Sequence, residues 1–273
     1  GKPVLGVLPY LHGLFLDAED AIASGQELSG QARLKVIAPA YPRVSNHNDL
    51  DPLRLHPEVD FEWIGPNQVI PPADLMVLPG SKAVRADLAW LRSQGWDKAI
   101  ERHLRYGGKV LGICGGFQML GQVLHDPQGL EGTAGTSAGL GWLQIETTLA
   151  SEKQLRNVRG TLCLPGEPRM TGYEIHLGIS EGTDMARPLV RIDDDRRDGA
   201  LSEDGQVAGT YCHGVFDQPE ALAALLTWAG CAETTTVDFV ARREADLNRL
   251  ADAVEQSLDW QTIEQILQES HRA

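Results

Sequence analysis

No apolar run in these 273 residues is long enough to cross a bilayer, so no membrane span is expected. Clustered basic residues are missing too. The 24 Lys and Arg residues face 38 Asp and Glu residues, and the net charge of −14 argues against a nucleic-acid partner, which needs a basic face. Among the cysteines, Cys114, Cys163, Cys212 and Cys231, there is no C-x-x-C pair. That spacing speaks against a zinc or dithiol centre, so no metal is expected and a reducing, cytoplasmic setting fits. The G-x-x-x-x-G-K-[ST] phosphate loop is absent, and the Pro79-Gly80-Ser81-Lys82 run does not supply its spacing. Nothing at the N-terminus reads as a signal peptide, and the first residue is not Met. Gly1-Lys2-Pro3 leads into an apolar stretch that Pro9 and His12 cut short, so the chain is expected to start partway through a longer product or to be processed.

What is present alternates. Short β-type runs at Leu34 to Ala38, Val59 to Trp63, Leu75 to Leu78 and Lys109 to Ile113 are separated by helical patterns. The spacing predicts helix over Val84 to Tyr106, broken near Gly95, and over Phe117 to Leu124. Strand–helix alternation implies an α/β fold, a mostly parallel central sheet flanked by helices with its strand C-termini along one edge. The second half adds strand-like runs at Leu140 to Thr147, Leu162 to Leu164, Tyr173 to Gly178 and Val207 to Cys212. From Thr236 onward the pattern is helical, with Val237, Val240, Leu247, Leu250, Val254 and Leu258 as its expected buried side. Near the start, Val4 to Leu8 is strand-like and Phe15 to Ala23 has helical character. Three parts result: an N-terminal segment 1–30, a main domain 31–232 and a helical extension 233–273.

The segment Lys109-Val-Leu-Gly-Ile-Cys-Gly-Gly-Phe-Gln-Met-Leu-Gly121 carries the chemistry. A buried-strand pattern stops at a cysteine flanked by Gly112, Gly115 and Gly116, the grammar of a nucleophile elbow, in which small neighbours let the central residue adopt an uncommon backbone conformation. Cys114 then projects from the sheet edge at a helix N-terminus, where free N–H groups favour a thiolate and can bind an oxyanion. The other three cysteines have no such context and read as buried small hydrophobes.

A thiolate attacking an amide needs an acid for the departing ammonia, and imidazole suits neutral pH. Two histidines end strand-like runs: His213 in Val207-Ala-Gly-Thr-Tyr-Cys-His-Gly-Val-Phe-Asp217, and His176 in Gly172-Tyr-Glu-Ile-His-Leu-Gly178. The residues alone do not rank them. A second oxyanion donor is expected at Gly80 in Leu78-Pro-Gly-Ser-Lys82, where a strand followed by Pro-Gly lets a backbone N–H approach a reacting carbonyl.

These motifs identify a resemblance. The chain resembles the class I glutamine amidotransferase (flavodoxin-like) domain that ends members of the cobyric acid synthase family. It does so over Pro39 to Asn46 with Asp49, Leu78 to Lys82, Asp87 to Leu91, Gly112 to Gly121, Gly139 to Gly141, Gly172 to Gly178 and Gly209 to Phe216. Val4 to Asp20 is similar to the join from that family's synthetase domain. The resemblance implies that Cys114 is the nucleophile and His213 its acid/base, with Gly80 and Gly115 supplying oxyanion N–H groups and Gln118 holding glutamine. In the wider class a carboxylate two residues after the histidine orients the ring; here that position is Val215, and Glu174 is the substitute expected from the Gly-Tyr-Glu-Ile-His run. It further implies ammonia delivery to a synthetase domain that uses ATP and Mg²⁺ to activate corrinoid carboxylates in cobalamin biosynthesis, with no cofactor in this chain. Related glutaminases of cobyrinate diamide or peptidoglycan amidation, and a catalytically silent docking module, are the alternatives.

Overall fold

The computed structural model describes residues 2–14, 33–232 and 234–270. These fall into two units, one spanning the described part of 21–237 and one formed by the described parts of 1–20 and 238–273.

The larger unit is built on a six-stranded sheet in the order Ala200–Leu201, Val207–Thr210, Lys109–Ile113, Leu75–Leu78, Leu34–Pro39, Val59–Ile64. Every pairing is parallel except that of Ala200–Leu201 with Val207–Thr210. The central strand Leu75–Leu78 is buried at all four positions, as expected when helices cover both faces of a parallel sheet. Helices Val84–Ser93 and Trp96–Arg105 break at Gly95 as the sequence indicates. The first has no side-chain cap of its own; its Val84 N–H donates to Glu131 Oε2 at 2.6 Å. Ile37, Leu78, Leu91, Trp96, Val110 and Phe117 join one core cluster on this sheet.

A second, seven-stranded sheet is dominated by a long antiparallel hairpin, Ile145–Leu162 with Arg169–Gly182. Its length departs from the sequence reading. The expected strand at Leu140 to Thr147 starts only at Ile145 and runs on through polar residues, because the ladder satisfies the backbone while Glu152, Lys153 and Leu155 stay exposed. The helix expected over Phe117 to Leu124 occupies Gly115–Leu120, and Val123–Asp126 is a strand. Most consequential is the run Val207 to Cys212. It ends in the parallel sheet at Thr210, passes Tyr211, and re-forms as Cys212–His213 paired to Arg169–Gly182 in the other sheet.

In the smaller unit Phe239–Ser257 and Trp260–Ser270 are helices. Asp238 caps the first by accepting from Ala241 N at 2.9 Å. Val4 to Leu8 is not a strand: it makes one bridge, Gly6 to Leu258, supported by Asp259 N donating to Leu5 O at 2.7 Å. The described residues of 1–20 thus share a unit with those of 238–273. The expected apolar side of this extension is not sealed, with Val240 and Leu247 exposed and Phe239 and Asp246 the buried positions of its first helix. The helix expected over Phe15 to Ala23 lies outside the described residues. Among the described residues no helix is long and apolar enough to cross a membrane.

Candidate active site

Cys114 stands between the strand Lys109–Ile113 and the helix Gly115–Leu120 with φ 51° and ψ −108°, a left-handed conformation that a non-glycine residue holds only when its surroundings enforce it. The enforcement is visible. A Cβ on Gly112 would lie 2.6 Å from Phe117 N, and one on Gly116 would lie 1.9 Å from Leu78 O, so strand and helix approach each other more closely than any larger residue permits. Cys114 N donates to Thr210 O at 2.8 Å, tying the elbow to the neighbouring strand. Since an added Cβ at Gly116 would meet backbone rather than a flexible side chain, Gly116→Ala should destabilise the fold by at least about 2 kcal/mol, read as a lowered thermal midpoint. The helix after Cys114 has six residues, so its free first-turn N–H groups matter more than a long dipole.

His213 is fully buried, 0 % exposed, and its position follows from the sheet switch at Tyr211. Its Nδ1 meets Asp49 Oδ2 at 2.6 Å, and Asp49 Oδ1 accepts from Gly214 N at 3.0 Å. The Tyr173 ring stacks on the imidazole, centroids 5.0 Å apart at 14°. Burial alone would push the imidazole pKa down; the Asp49 charge and hydrogen bond, with Cys114 adding to them, outweigh burial and hold it at about 10. The ring is therefore an imidazolium at neutral pH. Its Nε2 is buried with no hydrogen-bond partner, and the Cys114 thiol donates instead to the Ile175 carbonyl at 3.6 Å. The Cys114 side chain nonetheless contributes to the raised pKa of the ring, so the imidazole and the thiol face the same corner.

Glu174 does not orient His213. Its carboxylate accepts from Arg196 Nη1 at 3.0 and 2.8 Å and lies 3.3 Å from Arg156 Nε. The reason is strand alternation: Tyr173 pairs with His213 and Glu174 with Cys212, so consecutive side chains leave opposite faces. The residue the sequence reading missed is Asp49, in the 3₁₀ turn His47–Leu50. It belonged to the stretch that carried the resemblance, but its 164-residue separation from His213 hid the pairing.

The remaining sequence candidates gather nearby. A Cβ on Gly80 would lie 3.6 Å from His213 Cε1, and one on Gly115 would lie 2.8 Å from Ser81 N, so both oxyanion candidates line the same corner. Tyr41 OH donates to Pro79 O, and Ser81 Oγ donates to Asp87 Oδ2 at 2.6 Å, which fixes the Gly80 loop from two sides. Gln118, one turn beyond Cys114, is buried; its Nε2 donates to Tyr211 OH at 3.2 Å and its Oε1 has no partner. His176, the competing histidine, stacks on Tyr211 with centroids 3.8 Å apart and holds Gly178 O at 2.8 Å from Nδ1. Burial pushes its pKa down, which suits a neutral packing role rather than an acid at neutral pH.

The family model for CobB/CobQ-like glutamine amidotransferase domains matches residues 35–221. The chain belongs to that family. The match spans both sheets and every residue of the constellation from Asp49 to His213. Solved structures agree on the fold. One titled "Crystal structure of glutamine amidotransferase" shares 16 % identity at a TM-score of 0.54, covering 72 % of this chain and 99 % of its own. Another, titled "Structure of PurLQS from Thermotoga maritima", shares 18 % identity at 0.51, covering 66 % of this chain and 87 % of its own.

Proposed function

We propose that this CobB/CobQ-like domain is the glutaminase component of an ATP-dependent amidotransferase, releasing ammonia from glutamine through a thioester on Cys114. The observation that carries the reading is the alignment of Cys114, His213 and Asp49: a nucleophile in an enforced left-handed turn, an imidazolium with a free buried Nε2, and a carboxylate on Nδ1. In this reading Cys114 first loses its thiol proton to solvent; the thiolate, stabilised by the neighbouring imidazolium, then attacks the side-chain amide carbon of glutamine, and the adduct's oxyanion takes N–H donors from Gly80 and Gly115. Collapse expels ammonia, which receives the Nε2 proton of His213. Water, deprotonated by the now neutral His213, then cleaves the thioester to glutamate. Gln118 would hold the substrate, its unpaired buried Oε1 accepting an N–H of glutamine.

Support for the cobyric acid synthase branch comes from Pro39 to Asn46 and Asp49, the stretch shared with that family, which here engages the site through Asp49. The acceptor would then be a corrinoid carboxylate activated by ATP and Mg²⁺ on a synthetase domain. The chain's own phosphate-loop motif is absent, so alone it should hydrolyse glutamine and not amidate corrinoids. A diazo-ketone analogue of glutamine tests the reading. Mass spectrometry should find one adduct per chain, on Cys114, and glutamine should protect it. An unmodified Cys114 under conditions that saturate an active glutaminase would instead indicate a silent docking module.

A further inference from the structure

We infer that Asn46 and Tyr173 act together as positioning residues for His213, a role that rests on the glutaminase reading above. The Asp49 hydrogen bond fixes Nδ1 within the imidazole plane but leaves the ring free to tilt about that bond. Tyr173 removes this freedom: it sits directly opposite His213 in the ladder, with its ring nearly parallel to the imidazole, 14° apart at 5.0 Å. An aromatic face within about 6 Å also favours a cation, matching the charged state that Asp49 imposes. Asn46 in turn anchors the tyrosine, its Nδ2 donating to the Tyr173 hydroxyl at 2.7 Å.

The geometry of Asn46 itself is unusual. It holds φ 50° and ψ 41°, a left-handed conformation that asparagine tolerates better than most residues, immediately before the turn that carries Asp49. Its predecessor Ser45 pairs with Gly80 in a short antiparallel ladder. Five consecutive residues, Ser45 to Asp49, therefore reach the Gly80 loop, the Tyr173 hydroxyl and the His213 nitrogen. Because Nε2 has no partner within hydrogen-bond geometry, its aim depends on the ring's other contacts, and the Tyr173 stack is the contact that lies flat against the ring.

Kinetics of glutamine hydrolysis test this, with diazo-ketone labelling of Cys114 as a parallel rate. Asn46→Gly deletes the amide while keeping the left-handed backbone free of strain, and Tyr173→Phe deletes only the hydroxyl. Each is expected to lower kcat and the labelling rate about tenfold, less than the roughly hundredfold cost of a full 1 Å displacement because the ring stack is loosened and not removed, with KM and the thermal midpoint near wild type. The double variant should be no slower than either single one, since both break the same bond. Tyr173→Leu, which removes the ring, should be slower still. Unchanged kcat in Asn46→Gly and Tyr173→Phe, a raised KM at constant kcat, or fully multiplicative losses would each overturn the clamp. A wild-type chain that neither hydrolyses glutamine nor takes the label would instead refute the glutaminase reading and the clamp with it.

Discussion

Replacing Cys114 by alanine should abolish glutamine hydrolysis, with a loss in kcat of about 10⁶, the scale seen when the nucleophile is removed from a unit of nucleophile, base and orienter. Alanine has no atom that can form the thioester, so the remaining oxyanion donors would act on a reaction that no longer starts. The companion variant Cys114→Gly should be equally inactive but more stable. Residue 114 sits at φ 51° and ψ −108°, where a side chain is strained and glycine is not. Relief of about 1 kcal/mol would place the thermal midpoint of Cys114→Gly about 2–4 °C above that of Cys114→Ala for a domain of this size. Ammonia release and differential scanning calorimetry on the two variants measure both effects. A Cys114→Gly chain that melts below Cys114→Ala would mean the turn stores no strain, and residual turnover in either variant would place the nucleophile elsewhere.

That opposition between strain and activity explains why the cysteine turn could be read from sequence. Gly112, Gly115 and Gly116 report a close approach of strand and helix that is local in the chain, and local geometry leaves a local signature. The parallel strands Leu75–Leu78 and Lys109–Ile113 were legible for the same reason, as short apolar runs buried on both faces. The site's second half is not local. His213 and His176 both end strand-like runs, and the difference between them lies in what each ring meets across the fold: Asp49 and Tyr173 for one, Tyr211 for the other. Glu174 was misread because proximity in sequence to His176 says nothing about the face a side chain leaves, and the alternation of the strand sends it to Arg196 and Arg156. The sheet switch at Tyr211 was equally hidden, since a continuous β-type run from Val207 to Cys212 carries no mark of the point where its partner changes.

Asp49→Asn should lower kcat for glutamine hydrolysis by about 10³ to 10⁴, the range expected when an orienting carboxylate becomes an amide. The asparagine oxygen can still accept from Gly214 N, so the backbone contact survives while the Nδ1 contact fails. Its amide would face Nδ1 with a donor, forcing that nitrogen to accept and leaving the ring in the wrong tautomer. Charge changes in the same direction. In the wild type the carboxylate overrides burial and keeps His213 protonated up to about pH 10. Without it the largest raising influence is gone and burial weighs more heavily, so the imidazole pKa falls from its wild-type value and the ring is less able to protonate ammonia near neutral pH. The residual activity of Asp49→Asn should therefore rise as pH is lowered toward 5.5, whereas the His213 limb of the wild-type profile lies near pH 10. Stability follows the same linkage. A folded-state imidazole pKa raised to about 10 contributes stability that is fully present below about pH 6.5 and is lost as pH rises through about 10. The gap in thermal midpoint between wild type and Asp49→Asn should thus be widest at or below pH 6.5 and close toward pH 10. A pH-independent gap, or an Asp49→Asn enzyme with wild-type turnover at pH 7.5, would show that the carboxylate neither charges nor aims the imidazole.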